Sequence, residues 1–459
     1  MNANTLKTAV SSILYVADED IAKLNALDPE DGIEHKASYY NDLAQIACHV
    51  GDSMDAVQEL LTRYAGEIAN TEDVFANIDI TALTERITNA IKNGAERLNA
   101  VFASANAGAG LDSIKLRKTP VYGVSGLYDS ATALTRTDDA VGMSYTIDRE
   151  TGCIHSDFDN AFPWNKTKVV DLSAGKFVSF PEMYFRIGVD AENRITDVAV
   201  SAEPSGSGKW YKVEPFMYGC YGASVAEDKL RSVSGVDRAN CCTRETFRKF
   251  AANNGDGYFQ LDLYHRNVLL LLWLIEWATK DSASVMTGRI YKSGNAGGYS
   301  RRQTGGTDSI ETPSGFETEY GQMRWHYIED FVGNIFETVD GICLHGENQK
   351  DFVTDDPACF SDTDEGKRPL SYNNPKNGEI AALGWDESNP FLFMPIETVE
   401  NEDNDTYFCN EVYHFAGYPV LYCGAYYSNA NANYGVFYLN SFNARYTLSS
   451  LGARLLKKS

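Results

Sequence analysis

Residues 422–454 read YCGAYYSNANANYGVFYLNSFNARYTLSSLGAR. Tyr and Asn alternate here with small residues, and the first charged side chain is Arg445. At the centre, GVFYL (435–439) is a short β-like run in which Phe437 and Leu439 face one way and Val436 and Tyr438 the other, because side chains alternate along a strand. Asn is a weak strand former, so folding alone does not demand so many of them. A contact surface does: Tyr supplies wide amphipathic area at low entropic cost, and Asn and Ser supply adaptable hydrogen bonds. A polar, aromatic sheet edge is the plainer reading of the same composition.

The chain around this stretch has 459 residues, 43% of them hydrophobic, with 64 acidic against 40 basic side chains and a formal net charge of -24. That length favours roughly two to four domains. The acidic balance argues against nucleic acid and anionic membranes, which are bound through clustered Lys and Arg. The longest apolar run, VLLLLWLI (268–275), is far short of the roughly 20 residues needed to span a bilayer and reads as a buried helix, so no membrane insertion is expected. The N-terminus meets acidic residues at once and makes a poor signal peptide, which places synthesis in the cytoplasm. Nine Cys without a CxxC pair fit small buried residues in a reducing compartment, and the neighbours Cys241 and Cys242 read as two free thiols.

Towards the N-terminus, Tyr39, Leu43, Ile46, Val50, Met54, Val57, Leu61 and Tyr64 recur at three- and four-residue steps, a helical stripe. A second stripe carries Leu83, Ile87, Ile91, Leu98 and Val101. The small-residue stretch 103–113 ends it. Residues 1–110 are therefore expected to form an α-helical module, either a self-contained bundle or an assembly and attachment stalk, with the latter favoured. From residue 111 the texture turns to short β-like segments. KFVSFPEMYFRIGVD (176–190) alternates as a strand, and RITDVAVSAEP (194–204) follows it across the turn AEN. RETFRKFAANNG (244–255) and LDLYHRNVLLLLWLIEWATK (261–280) read as helices. The fold class expected is α+β: helical module 1–110, β-rich connecting domain 111–235 and ligand-binding domain 236–459.

Chemistry is sparsely signalled. SGNAGGYSRRQTGGT (293–307) is Gly-rich but lacks the Gly-Lys-Ser/Thr of a P-loop. Seven His show neither HxxxH nor HExxH spacing, so no metal ligands are assigned. The acidic run ENEDND (400–405) offers oxygen ligands of the kind Ca²⁺ takes, without the fixed EF-hand spacing, and reads mainly as a solvated loop. There is no GxSxG and no nucleophile–base arrangement; two carboxylates of a glycosidase leave no mark in sequence. No catalytic residue is assigned.

The C-terminal stretch resembles the variable region of proteins diversified by retroelements, in which a Gly-Val-Phe core sits between runs of Asn and aromatic residues before a closing Gly-Phe-Arg. The matching segments are CGAYY (423–427), NANANYGVF (429–437), LNSFNAR (439–445) and LGAR (451–454), with Cys423 or Tyr422 at the expected Arg and Ala453 at the expected Phe. Upstream, MRWHYIEDFVGNIFETVDGI (323–342) resembles a segment of C-type-lectin-like domains in phage tail proteins, as do FPEMYFRIGVD, EPFMYGCYGAS (214–224) and IEWATKDSAS (275–284). The resemblance spans residues 176–459. It implies a C-type-lectin-like fold of the formylglycine-generating-enzyme type at the C-terminal end, with Tyr426, Tyr427, Ser428, Asn429, Asn431, Tyr434, Phe442, Tyr446 and Leu448 as variable contacts. Gly435, Val436, Phe437, Leu439, Ala444, Gly452 and Arg454 would be scaffold. Tyr438 and Asn440 fit either set, and Tyr438 is placed with the contacts. Implied partners are a host cell-surface protein or glycan, other virion tail proteins and further copies of the chain, a trimer being favoured; the implied location is the virion tail. The enzyme branch of that fold needs two Cys close together near the C-terminus, where only Cys409 and Cys423 are on offer. A bacterial cell-surface binding protein and a tail-associated glycan hydrolase are the alternatives.

Overall fold

The computed structural model describes residues 119–205, 208–288, 302–317, 321–400, 405–425 and 434–458. The chain divides into two compact units, Met1–Leu116 and Arg117–Ser459, and every described residue belongs to the second. The helical module expected over 1–110 lies outside the described residues, as do residues 293–301 of the Gly-rich loop and 401–404 of the acidic run.

The α+β expectation is corrected. Among the described residues there are two α-helices, α1 (Arg244–Ala252) and α2 (Leu263–Trp277), against strands gathered into six sheets. The unit is β-rich because helical periodicity is confined to those two segments. Elsewhere turn residues cut the chain into strands too short for anything but lateral pairing.

Both helices start where a side chain can take up a backbone N–H left bare by the first turn. Thr243 accepts from the backbone of Thr246 ahead of α1. Asp262 accepts from His265 N at 2.8 Å ahead of α2, which ends at Ala278 in the left-handed region, φ 49°. Helix α2 is buried on every side except at Tyr264, with Trp273 packed in the main core against Trp277, Trp325 and Phe331. Two of its polar side chains are met by distant carbonyls: Asn267 Nδ2 donates to those of Phe391 and Phe393, and Arg266 Nη2 donates to that of Val436 at 2.8 Å. Each large apolar side chain of α2 contributes roughly 1.5–3 kcal/mol by leaving water.

The single strand expected over 176–190 is two strands, Gly175–Phe180 and Met183–Val189, in different sheets. Pro181 between them has no N–H to give a ladder. The expected hairpin does form, with Met183–Val189 antiparallel to Ile195–Ser201 and Asn193 at φ 61° in the turn. The boundary expected at residue 235 falls inside the compact unit. Strands from either side of it share one sheet, ordered Tyr258–Gln260, Leu455–Lys458, Phe216–Gly219, Gly175–Phe180, Lys168–Leu172.

The largest sheet has seven strands, in the order Pro395–Val399, Gly378–Leu383, Glu411–Tyr413, Leu439–Phe442, Val420–Cys423, Phe336–Val339, Leu451–Gly452. It brings four separated stretches of chain beside the C-terminal segment.

Candidate functional site

Register assigns the two faces of this sheet. Cys423 lies opposite Leu439 and Glu337, and Leu439 opposite Val412. Those positions, with Leu421 and Val339, face the interior, where all the apolar ones are nearly inaccessible. The alternate positions, Tyr413, Asn440, Tyr422 and Phe442, share the other face. Phe336, two residues from Thr338, which pairs with Tyr422, joins them.

On that outer face, nine rings form one continuous tract. Tyr418 meets Phe415 at 6.0 Å, Phe415 stacks on Tyr413 at 6.0 Å, and Tyr413 meets Tyr438 at 6.4 Å. Tyr438 meets Tyr434 at 4.4 Å and stacks on Phe336 at 5.7 Å. Phe336 leads to Tyr422 at 4.9 Å, Tyr422 to Phe442 at 6.2 Å, and Phe442 to Tyr446 at 6.3 Å. The tract is graded from its floor outwards. Phe336 and Tyr438 are buried; Tyr413, Tyr422, Tyr434 and Phe442 are half-buried; Phe415, Tyr418 and Tyr446 are exposed by 42%, 37% and 62%. Burial, the largest cause, raises the hydroxyls of Tyr438 and Tyr413 above their ordinary range, so both stay protonated. The Tyr438 hydroxyl accepts from Asn440 Nδ2 at 2.7 Å, and the Tyr413 hydroxyl donates to Glu411 at 2.7 Å.

The loop that presents Phe415 and Tyr418 is tied to the sheet, since Phe415 N donates to Ser441 Oγ at 2.9 Å. Gly417 takes the turn at φ 82°, a conformation that suits glycine.

Gly435, Val436 and Phe437 are held from the opposite side. Val436 N donates to Ser282 Oγ at 3.2 Å and Phe437 N to Asn410 Oδ1 at 3.1 Å, while Phe437 packs edge-on against Phe408 at 5.0 Å. Beneath the sheet, Arg454 is fully buried. Its Nε donates to both oxygens of Glu337 at 2.9 and 3.1 Å, and its two amino groups reach the carbonyls of Gly219, Glu329 and Asp330. Arg238 Nη2 donates to the same Glu337 at 2.6 Å. Charge at Arg454 is therefore matched by a carboxylate that also answers a second guanidinium, and its pKa is raised by that carboxylate against the opposing effect of burial.

Of the contact residues expected from sequence, Tyr426, Tyr427, Ser428, Asn429 and Asn431 lie outside the described residues. Tyr434, Tyr438, Phe442 and Tyr446 come together in the tract, with Tyr438 at its floor and 2% exposed; Leu448 is 45% exposed beyond it. Among the expected scaffold residues Gly435, Val436, Phe437, Leu439, Gly452 and Arg454 are all buried, and Ala444 is half-buried. Sequence reading missed Phe336, Tyr413, Phe415, Tyr418 and Tyr422 as members of the same surface. The one hint is HFAGYP (414–419), two aromatics around a glycine turn. All eight described Cys are free thiols, and burial pushes Cys409 up to about 12 and Cys423 upward as well.

No protein-family model matches the sequence, and no curated protein matches it. Three solved chains match in structure, among them PvdO from Pseudomonas aeruginosa, at 11% identity and a TM-score of 0.26, covering 64% of this chain and 98% of that one. At that similarity nothing about this chain's fold or activity follows from PvdO.

Proposed function

We propose that this chain is a non-enzymatic host-recognition protein of a phage tail, which binds a cell-surface protein or glycan through the outer face of the seven-stranded sheet, and that residues 422–454 are the part diversified by a retroelement. The observation that carries the reading is the nine-ring tract, with its buried floor and exposed rim. Aromatic rings held rigid by their neighbours lose little entropy on contact, and Tyr is enriched where binding energy concentrates. The sequence resemblance supports the same surface. The motif positions that would stay fixed, Gly435 to Phe437, are buried and anchored, whereas Tyr446 and Leu448 stand in solvent. Substitution at the exposed set leaves the frame untouched. Self-association of the chain would multiply weak single contacts through avidity, by about 10² to 10⁴.

The test uses the labelled full-length protein and a panel of bacterial strains. On a strain that binds it, the combined Phe415→Ala, Tyr418→Ala and Tyr446→Ala variant is expected to lose about 30-fold or more in affinity, the equivalent of roughly 2 kcal/mol. Unchanged adsorption refutes the surface. Release of soluble saccharide from those cells by the wild-type chain refutes the non-enzymatic reading. For diversification, the DNA encoding 422–454 must have a near-identical copy beside a reverse transcriptase gene, differing at adenines; without it that part of the proposal fails.

A further inference from the structure

A second, chemically distinct cluster lies in the three-stranded sheet Ile342–Cys343, Phe352–Val353, Arg368–Pro369, next to the loop of Phe415 and Tyr418, since Leu344 N donates to the Pro419 carbonyl at 3.0 Å. Cys343 and His345 are two residues apart at the end of the first strand. That spacing sends both side chains to one side of an extended chain. Asp364 arrives from the loop before the third strand, and His345 Nε2 lies 3.0 Å from its Oδ1. The Cys343 sulfur, one His345 ring nitrogen and one Asp364 oxygen all lie within 4.8 Å of one another.

The cluster is held in place on both sides. His345 N donates to Asp351 Oδ1 at 2.7 Å, and Asn374 Nδ2 donates to the His345 carbonyl at 3.1 Å, so the backbone under the imidazole is fixed. Across from it, Lys367 Nζ donates to the Cys359 carbonyl, Ser361 Oγ and the Thr363 carbonyl at 3.1, 2.6 and 2.6 Å, closing the loop on itself. Arg244 and Arg248 both grip Asp362, at 2.8 and 2.9 Å. Asp364 is thereby presented without depending on its own contact with His345. The side chains of His345 and Asp364 are 30% and 42% exposed, while Cys343 is buried behind them.

We propose that Cys343, His345 and Asp364 form a site for one divalent transition-metal ion, Zn²⁺ in the first instance, with a water molecule as fourth ligand. A tetrahedral Zn²⁺ takes sulfur at about 2.3 Å, imidazole nitrogen at about 2.0–2.1 Å and carboxylate oxygen at about 2.0–2.2 Å, which sets its donors roughly 3–4 Å apart. The spacing of the cluster accommodates that. A thiolate and an imidazole select Zn²⁺ over Ca²⁺ and Mg²⁺, which take oxygen donors. The half-exposed imidazole and carboxylate leave a route from solvent. Binding displaces the thiol proton to solvent. The cluster Asp159, Glu276 and His326 also has ligand-type atoms within reach of one another. There, however, Glu276 is engaged by Trp325 Nε1 at 2.7 Å and by His326, and no sulfur is present.

The experiment is a Co²⁺ titration of the full-length protein kept reduced with a phosphine. One equivalent of Co²⁺ is expected to give a near-ultraviolet thiolate-to-cobalt charge-transfer band, bleached by one equivalent of Zn²⁺. The band is lost in Cys343→Ser and in a His345→Ala, Asp364→Asn double variant, and kept when Cys241 and Cys242 are both changed to Ser. Asp364→Asn alone, a half-exposed near-isosteric change, keeps the fold and weakens the band. No band in the wild type, or a band unaltered in Cys343→Ser, overturns the assignment.

Discussion

Replacing Arg454 with Met removes the group on which the end of the C-terminal segment is pinned. The side chain is 0% exposed and donates twice to Glu337 and once each to the carbonyls of Gly219, Glu329 and Asp330. After the change Glu337 keeps Arg238 at 2.6 Å, but Asp330, whose nearest cation contact is Arg238 Nη1 at 3.8 Å, shares that single guanidinium with it. Two buried carboxylates then face one cation. Breaking a buried pair by deleting one partner costs about 3–5 kcal/mol, and the bare carbonyls each add a share of the roughly 1–3 kcal/mol that an unsatisfied buried group costs. The expected loss is therefore at least about 3 kcal/mol. Arg454→Lys keeps the charge and loses the planar fork, so it should fall between Met and wild type. Urea unfolding followed by tryptophan fluorescence reads this as a fall in midpoint of about 1 M or more at an unfolding slope of about 3 kcal/mol per M. A Met variant within about 1 kcal/mol of wild type refutes the claim that Arg454 anchors the segment.

Two further outcomes follow from the surroundings of the same sheet. Burial raises Asp351 to about 7, so it holds its proton in the folded state at pH values where the unfolded chain has lost it. Its contribution is full below its ordinary carboxylate range, and is lost as pH rises through about 7. Between pH 5 and about 7, Asp351→Asn should flatten the decline in unfolding free energy by about 2 kcal/mol, and parallel curves for the two proteins would sink the idea. His414, which burial lowers to about 4, is carried by both proteins, so its titration drops out of the comparison. At Gly435 an added Cβ would meet Ser282 Oγ at 2.3 Å and Asn410 Oδ1 at 2.7 Å, the two groups that hold Val436 and Phe437. Gly435→Ala is expected to cost about 1–3 kcal/mol in a thermal melt, and an unchanged melt would show that the turn is not packed as described.

The hairpin over 183–201 and both helices were legible because each is decided by local chemistry: alternation, an apolar run of helical length, a turn of small residues. The break at Pro181 was equally local but was passed over in favour of the longer alternation. The α+β class was drawn from stripes within residues 1–110 and from the helices expected over 244–255 and 261–280, and the described unit takes its character from strands instead. Asn267, Arg266 and His265 show why burial of a helix cannot be judged from apolar residues alone. Asn267 and Arg266 sit inside the core because carbonyls from distant segments meet them, and His265 because the carboxylate of Asp262, three residues before it, does.

Sequence by itself determined the composition of the C-terminal surface, Tyr and Asn around a Gly-Val-Phe core, whereas the β-like run expected over 435–439 is a turn through Val436 and Phe437, both buried, with the strand beginning at Leu439. Only the tertiary structure decided which other rings join them. Phe336, Tyr413 and Tyr422 reach the same face because three strands from separate parts of the chain pair with Leu439–Phe442 or with its neighbour, and register, having a period of two, sends alternate residues of each to one side. The Cys343, His345 and Asp364 cluster has the same origin: two donors from strand alternation, the third from a loop whose position no local pattern encodes.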